Sequence, residues 1–233
     1  RKTLQRQLPQ APSAHMNPLF LFPFNGNARE AVQVIEAVNG VRPSWDLRGF
    51  LDDDPLKQNQ SFGGYPVLGP LAEILAQADC FLLAVPGRPD KLRQRRELLQ
   101  KVIHVVPTER LATCIHPSAT VGTGCKVGDN SLIMNNVVLT ASVSAGDNII
   151  ILPNSVIAHD CTIGDGTIIG STVSISGGVS IGANCYIGTG AKIIQEVTIG
   201  EGSLVGIGSV VLQDIPANTV YAGNPARFLR YAL

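Results

Sequence analysis

A histidine followed by an aspartate, His159-Asp160, is the pair in this sequence best suited to acid–base chemistry. Eighteen residues earlier stands Ala141-Ser142, and eighteen later stands Gly177-Gly178. If residues eighteen apart are neighbours, these small side chains leave a groove for the imidazole. Histidine can accept a proton near neutral pH, the carboxylate can orient the ring, and free glycine amides could meet a developing oxyanion. The pattern predicts a general base, and the alternative is an exposed histidine beside a turn aspartate.

A six-residue repeat explains why residues eighteen apart should be neighbours. Every sixth residue from Ile115 to Val211 is a branched aliphatic, with Ala145 as the one exception. Such a period is typical of a parallel β-helix, in which three hexapeptides form one triangular coil and the aliphatic side chains stack inside. Each buried Ile or Val contributes about 1.5–3 kcal/mol. His116, the second histidine of the repeat, precedes Pro117, and we interpret it as structural.

The amino-terminal half alternates between strand and helix patterns, which predicts a parallel sheet in a small Rossmann-like domain. We predict strands at 19–24, 47–51, 80–85 and 102–106, and helices at 28–38, 71–78 and 90–101. Ligands of such sheets bind at the carboxyl ends of the strands. Candidate contacts there are Asn25, Gly26 and Asn27 after the first strand, and Asp52 and Asp53 after the second. The two aspartates could bind a ribose or a base, or could simply cap a turn.

Composition narrows the possible partners. Lysine plus arginine equals aspartate plus glutamate, so the net charge of zero favours neither nucleic acid nor an anionic membrane. Cys125, Cys161 and Cys185 occupy inward positions of the repeat, and their spacing fits neither a zinc cluster nor a disulfide framework. We therefore expect no metal and a cytoplasmic location.

We expect five segments along the chain. They are a polar leader or tag at 1–15 with the native start at Met16, a Rossmann-like domain at 16–106, a linker at 107–114, the β-helix at 115–216 and a carboxyl-terminal cap at 217–233.

Several of these segments resemble one family. The hexapeptide array, His159-Asp160-Cys161 and the tail at 222–226 are similar to left-handed β-helix acyltransferases. The segments at 49–53 and 63–69 resemble the two-domain bacterial sugar acyltransferases, which comprise nucleotide-sugar N-acetyltransferases and sialic acid O-acetyltransferases. The likeness covers residues 19–230, and the predicted fold is mainly β, a left-handed parallel β-helix preceded by a small α/β domain.

The resemblance implies an acyl-CoA-dependent N-acyltransferase, with acetyl-CoA as co-substrate and a nucleotide-linked amino sugar as acceptor. It implies a homotrimer with sites between subunits, His159 as base supported by Asp160, and Gly177 facing the acyl carbonyl. Asp52 and Asp53 match an acidic turn near the nucleotide. Lys192 and Arg227 are candidates for the CoA phosphates because they are basic and near the last coils.

Three alternatives stay open from the sequence. The first is transfer to a sugar hydroxyl, and the second is a nucleotide-sugar-binding protein without catalysis. The third, a β-helical carbonic anhydrase, would need three histidine ligands for zinc, whereas the array holds two.

The sequence departs from the family at three places. The loop at 23–27 reads Pro-Phe-Asn-Gly-Asn where the family has Gly-x-Gly-Gly-His, so the resemblance does not extend to phosphate contacts by this loop. Leu152 and Ile168 replace an asparagine and a histidine. Both changes predict a more apolar groove, and we hypothesise an acyl group larger than acetyl.

Overall fold

The structure, a computed structural model, describes residues 16–77, 79–87 and 92–232. The predicted leader at 1–15 and the start of the helix predicted at 90–101 lie outside these residues. The predicted segment boundaries stay a proposal.

The amino-terminal part is built on one five-stranded sheet. Its strands are β1 (Asn17–Phe22), β2 (Trp45–Leu51), β3 (Ser61–Phe62), β4 (Tyr65–Gly69) and β5 (Phe81–Ala84). They lie in the order β3-β4-β2-β1-β5, and every pairing is parallel except that of β3 with β4. Residues 19–22 of β1 are buried on both faces of the sheet, as expected for a central parallel strand.

Two α-helices accompany this sheet, α1 (Gly26–Val41) and α2 (Leu92–Val105). A short 3₁₀ helix occupies Leu71–Ala76, where a helix was predicted. The strand predicted at 102–106 is wrong, because α2 continues through Val105. Leu99, Val102 and Val106 are buried at helical spacing, so a short apolar run that resembles a strand belongs to the inner face of a helix.

The hexapeptide array forms a parallel β-helix with three faces, and the predicted fold class is confirmed. The first face contains β7 (Thr120–Val121), β10 (Val138–Leu139), β13 (Val156–Ile157), β16 (Ser174–Ile175), β19 (Lys192–Ile193) and β22 (Val210–Val211). The second contains β8 (Lys126–Val127), β11 (Ser144–Ala145), β14 (Thr162–Ile163), β17 (Ser180–Ile181) and β20 (Thr198–Ile199). The third contains β6 (Cys114–Ile115), β9 (Leu132–Ile133), β12 (Ile150–Ile151), β15 (Ile168–Ile169), β18 (Tyr186–Ile187), β21 (Leu204–Val205), β23 (Thr219–Ala222) and β24 (Arg227–Tyr231).

In every ladder of the repeat, paired residues are eighteen positions apart in the sequence. Ile157, for example, pairs with Leu139 below and Ile175 above. These side chains belong to one continuous buried column. At each corner from Gly124 to Gly208 the chain turns through a residue with positive φ, often asparagine, whose short amide side chain tolerates that conformation.

The third face packs against the amino-terminal part through its outward side chains. Leu132, Ile150 and Ile168 share one buried cluster with Ala31 and Ile35 of α1. Leu152 packs at the edge of the same cluster. The apolar residues at 152 and 168 therefore complete an interdomain contact and lie on a different face from the strand that precedes His159. Within one chain these two residues do not line the His159 corner, and the hypothesis of an acyl group larger than acetyl stays a prediction.

Neither of the two α-helices described above combines the length and the apolar character needed to cross a bilayer.

Candidate active site

His159 and Asp160 lie at the corner between the first and second faces, directly after β13 (Val156–Ile157). Successive side chains in a strand point apart, but Asp160 has φ +59, which turns the chain and brings the two side chains together. The His159 Nδ1 lies 2.8 Å from Asp160 Oδ2. Both side chains are about two-thirds exposed, at 67% and 68%. The carboxylate can therefore hold the proton on Nδ1, which leaves Nε2 free toward solvent.

The neighbouring coils clear the space around this imidazole. Asp160 N–H donates to Ala141 O at 3.0 Å on one side, and Gly178 N–H donates to His159 O at 2.9 Å on the other. A Cβ added at Gly177 would lie 2.6 Å from His159 Cε1 and 2.7 Å from Nε2. The ring thus lies over the Gly177 backbone, where any larger residue would displace it.

The two glycines proposed as oxyanion donors differ in their hydrogen bonds. Because the Gly178 N–H is already bonded to the His159 carbonyl, the expectation of a free amide there is wrong. The Gly177 N–H makes no backbone hydrogen bond to the described residues, while its carbonyl accepts from Glu196 N–H at 3.0 Å. Among this pair, Gly177 alone keeps a donor beside the imidazole.

Lys192 and Arg227 both lie farther toward the carboxyl-terminal end of the β-helix than His159. Lys192 lies in β19 (Lys192–Ile193), two coils above β13 on the same face, which corresponds to about 10 Å along the axis. Ala226 N–H donates to Val210 O of β22, and Arg227 follows as the first residue of β24, which pairs with β23 in the sheet of the third face. Both side chains are exposed. Lys192 therefore shares the first face with the strand that precedes the imidazole, whereas Arg227 lies at the carboxyl-terminal end of the third face.

Asp52 has a different position from the one the sequence suggested. It is buried, with 4% exposure, and its carboxylate accepts from Phe24 N–H, Asp54 N–H and Lys57 Nζ, each at 2.9 Å. Both oxygens are thus bonded within the protein. These bonds favour the alternative that the carboxylate caps a turn, since it fastens the loop after β1 to the turn after β2, and a contact of Asp52 with a nucleotide stays a proposal.

The other candidates near this loop also bond to the protein itself. Asn25 caps α1 by accepting from Ala28 N–H and donates to Val85 O, and Asn27 donates to Pro86 O. Asp53 accepts from Leu71 N–H and from Lys101, yet its side chain is 37% exposed. A Cβ at Gly26 would contact nothing within 4 Å, so no close approach requires glycine there. These residues shape the loop, and their role toward a ligand stays a proposal.

A pocket of about 190 Å³ opens where β1 and β5 end, as expected for a parallel sheet. It is lined by Pro23, Asn25, Lys57, Pro86, Gly87, Gln94, Arg95 and Leu98. Lys57 and Arg95 are not among the site residues predicted from the sequence. Both are cations distant in sequence from the loop, and no spacing in the chain indicates that they meet there.

The two candidate regions lie apart within one chain. Arg95 binds the carbonyls of Asn184 and Cys185, at the corner between the second and third faces. His159 lies at the corner between the first and second faces, so the width of the second face separates it from that contact. The structure therefore does not bring the imidazole and the pocket together in a single chain.

The cysteine nearest the imidazole is not suited to be a nucleophile. Burial raises the pKa of the Cys161 thiol, whose Sγ–H donates to Ser176 O at 3.2 Å inside the coil. Within the described ranges, no three His, Cys, Asp or Glu side chains form a group able to hold a metal ion.

The parallel coils, with a histidine that points outward at one corner, define a hexapeptide-repeat protein with an α/β amino-terminal domain. Comparisons with known proteins agree with this class of protein. The sequence profile of the bacterial transferase hexapeptide family, six repeats, matches residues 146–177, which include His159 and Gly177. No curated protein sequence matches the chain.

Solved structures with this architecture include a GDP-perosamine N-acetyltransferase and an acetyltransferase domain. PerB from Caulobacter crescentus, in complex with CoA and GDP-perosamine, has a TM-score of 0.80 at 28% identity, covering 94% of this chain and 100% of PerB. The acetyltransferase domain of PglB from Neisseria gonorrhoeae, in complex with acetyl coenzyme A, and WeeI from Acinetobacter baumannii each give 0.78 at 26% identity, covering 92% of this chain and 100% of theirs.

These comparisons confirm the predicted resemblance to two-domain sugar acyltransferases of the left-handed β-helix superfamily. They also confirm the predicted enzyme class, an acyltransferase of the amino-sugar N-acetyltransferase type.

Proposed function

We propose that this protein transfers an acetyl group from acetyl-CoA to the amino group of a nucleotide-linked amino sugar, with His159 as general base. The observation that carries the proposal is the His159 imidazole, held by Asp160 and placed over Gly177 in a cleared corner. A base needs an accessible nitrogen near the reacting atoms, and the His159 side chain, whose Nδ1 is paired with Asp160, is 67% exposed.

The proposed reaction is direct attack. The amine nitrogen forms a bond to the thioester carbonyl carbon while His159 Nε2 accepts its proton. The carbonyl oxygen gains negative charge, which the Gly177 N–H can stabilise. When the carbon–sulfur bond breaks, the thiolate of CoA takes the proton from the imidazolium, and an amide and free CoA result. Asp160 stabilises the imidazolium between these steps.

Acetyl-CoA is proposed to lie along the first face. Its thioester would reach the His159 corner, and Lys192 and Arg227 would contact its phosphate groups farther along the axis. PglB and PerB, which share this architecture, are seen with acetyl coenzyme A and CoA respectively.

The acceptor is proposed to bind with its nucleotide part in the pocket at the sheet edge. PerB is seen with GDP-perosamine, which supports a nucleotide-linked amino sugar as the acceptor class. Because the pocket and His159 lie at different corners of one chain, we propose that a neighbouring subunit completes the site in a homotrimer.

The test is release of the CoA thiol from acetyl-CoA with a panel of GDP-, UDP- and dTDP-linked 4-amino sugars. We expect turnover by the wild type and a loss of at least ~100-fold in kcat for His159→Asn, because general-base assistance contributes about 10²–10⁴-fold. His116→Asn changes the other β-helix histidine, which is half-buried and bonds Ser118, and should retain wild-type turnover.

Equal turnover by wild type and His159→Asn would contradict the proposed base. Product analysis by mass spectrometry and NMR distinguishes an amide from an ester, and an ester product would establish the sugar O-acetyltransferase instead.

A further inference from the structure

Arg95 is a buried cation without a carboxylate partner among the described residues. Its exposure is 2%, and its Nη2 donates to Asn184 O at 2.8 Å and Cys185 O at 3.0 Å. Its Nε and Nη1 are buried and have no hydrogen-bond partner among the described residues. Burying a charge and two donors without partners is costly, so such a group requires an explanation, and an anionic ligand would supply one.

The charge of this guanidinium persists despite its burial. Burial lowers the pKa of Arg95 to about 10, which still leaves it protonated at neutral pH. Two other described cations differ from Arg95. Lys57 is neutralised by Asp52 at 2.9 Å, and the exposed Arg93 is paired with Glu97. Among the described residues that line the pocket, Arg95 is therefore the cation without a carboxylate partner.

Side chains of the protein occupy two amides of the loop after β1. The Phe24 N–H donates to Asp52, and the Ala28 N–H donates to the Asn25 side chain. Glycine-rich loops bind phosphates through such amides. Because these two amides are already bonded, cationic side chains at this sheet edge take a larger share in binding an anion.

Resting on the proposed function, we infer that Arg95 binds the diphosphate of the nucleotide-linked sugar, with Lys57 as a second donor. Lys57 donates two of its three protons, to Asp52 and Phe24 O, and keeps one for a ligand. Arg95 would also join the ligand to the β-helix, since its Nη2 holds the corner at Asn184 and Cys185. Such a residue would make the site specific for a negatively charged diphosphate, independently of which nucleobase the ligand carries.

Calorimetric titration tests the inference without acetyl transfer. The probes are GDP, UDP and dTDP, the three matching nucleosides, and inorganic pyrophosphate. We expect at least one nucleoside diphosphate to bind the wild type at least ~10-fold more tightly than its nucleoside, because charge-assisted bonds to Arg are strong. Arg95→Met should weaken diphosphate binding at least ~10-fold and leave nucleoside binding unchanged.

Arg93→Met is the matched control, because it removes an exposed arginine from the same helix and should bind like the wild type. Arg95→Lys keeps the charge without the planar fork and should fall between the wild type and Arg95→Met. Circular dichroism melting identifies any variant that is unfolded at the titration temperature.

Three results would overturn the inference. They are unchanged diphosphate affinity in folded Arg95→Met, equal affinity of the wild type for nucleoside and diphosphate, and no diphosphate binding by the wild type. If Arg95→Met does not fold, wild-type affinity for Arg95→Lys overturns it in the same way. Diphosphate binding without acetyl transfer would instead count against the proposed function and leave the role of Arg95 intact.

Discussion

At the scale of single residues, Gly177 decides where the His159 imidazole can lie. A Cβ there would come within 2.6 Å of the ring. In Gly177→Ala the ring must move, while the backbone needs no unusual conformation. We expect kcat to fall at least ~10-fold with less than ~1 kcal/mol change in the free energy of unfolding, because positioning contributes strongly to rate. Steady-state kinetics and urea denaturation measure the two quantities.

Gly178→Ala is the informative comparison. Gly178 has φ +68, and its added Cβ would be 3.5 Å from Glu196 Cγ and clear of the imidazole. This variant should lose about 1–2 kcal/mol of stability, from the left-handed backbone, and keep more activity than Gly177→Ala. The reverse order of activities would contradict the placement of the ring over Gly177.

The sequence alone could predict the His159 environment, because an eighteen-residue step converts directly into contacts between coils. It could not separate Gly177 from Gly178, since that depends on which amide is bonded to the His159 carbonyl. Nor could it predict that the Asp52 oxygens are fully bonded or that Arg95 reaches the pocket. Such contacts join residues 28 and 90 positions apart that follow no repeat.

At the scale of elements, Asn130 joins the β-helix to the end of β5. It is 1% exposed, its Oδ1 accepts from Ala84 N–H at 2.7 Å, and its Nδ2 bonds Asn148 Oδ1 at 2.8 Å. In Asn130→Ala a buried backbone N–H loses its partner. We expect the free energy of unfolding to fall by about 1–3 kcal/mol, measured by urea denaturation.

Asn136→Ala provides the control for this junction. Asn136 has a similar positive φ and also bonds the asparagine eighteen residues later, Asn154, but it is exposed and touches no other element. The free energy of unfolding should fall less in Asn136→Ala than in Asn130→Ala. Equal losses would mean that the corner conformation, and not the contact with β5, determines the cost.

Element prediction succeeded where the hydrophobic period was long and failed where it was short. The array from Ile115 to Val211 repeats many times, so its strands and register follow from the period. The stretch at 102–106 has only a few apolar residues, and a strand and the last turn of α2 fit it equally. The apolar side chains that point outward from the third face are buried against α1. The sequence does not specify this contact.

At the scale of the whole molecule, the separation of His159 from the pocket predicts a site shared between subunits. Gly87→Trp would fill the pocket of about 190 Å³ from its wall, since the nearest atoms to the Gly87 Cβ position belong to the Asn25 and Asn27 side chains, at 3.7 Å or more. His159→Asn would remove the base. We expect each variant alone to lack acetyl transfer, measured by CoA thiol release.

Mixed oligomers of the two variants test where the complete site forms. If a subunit with an intact pocket faces a neighbour with an intact His159, co-refolded mixtures should recover a fraction of wild-type activity, because one interface then carries no defect. A site contained within one chain would always carry one defect, and the mixture would stay inactive. Light scattering on the same samples must give a trimer. A monomer, or an inactive mixture of proven mixed trimers, would place acetyl transfer within a single chain and require the two corners to be connected by a movement of the amino-terminal domain.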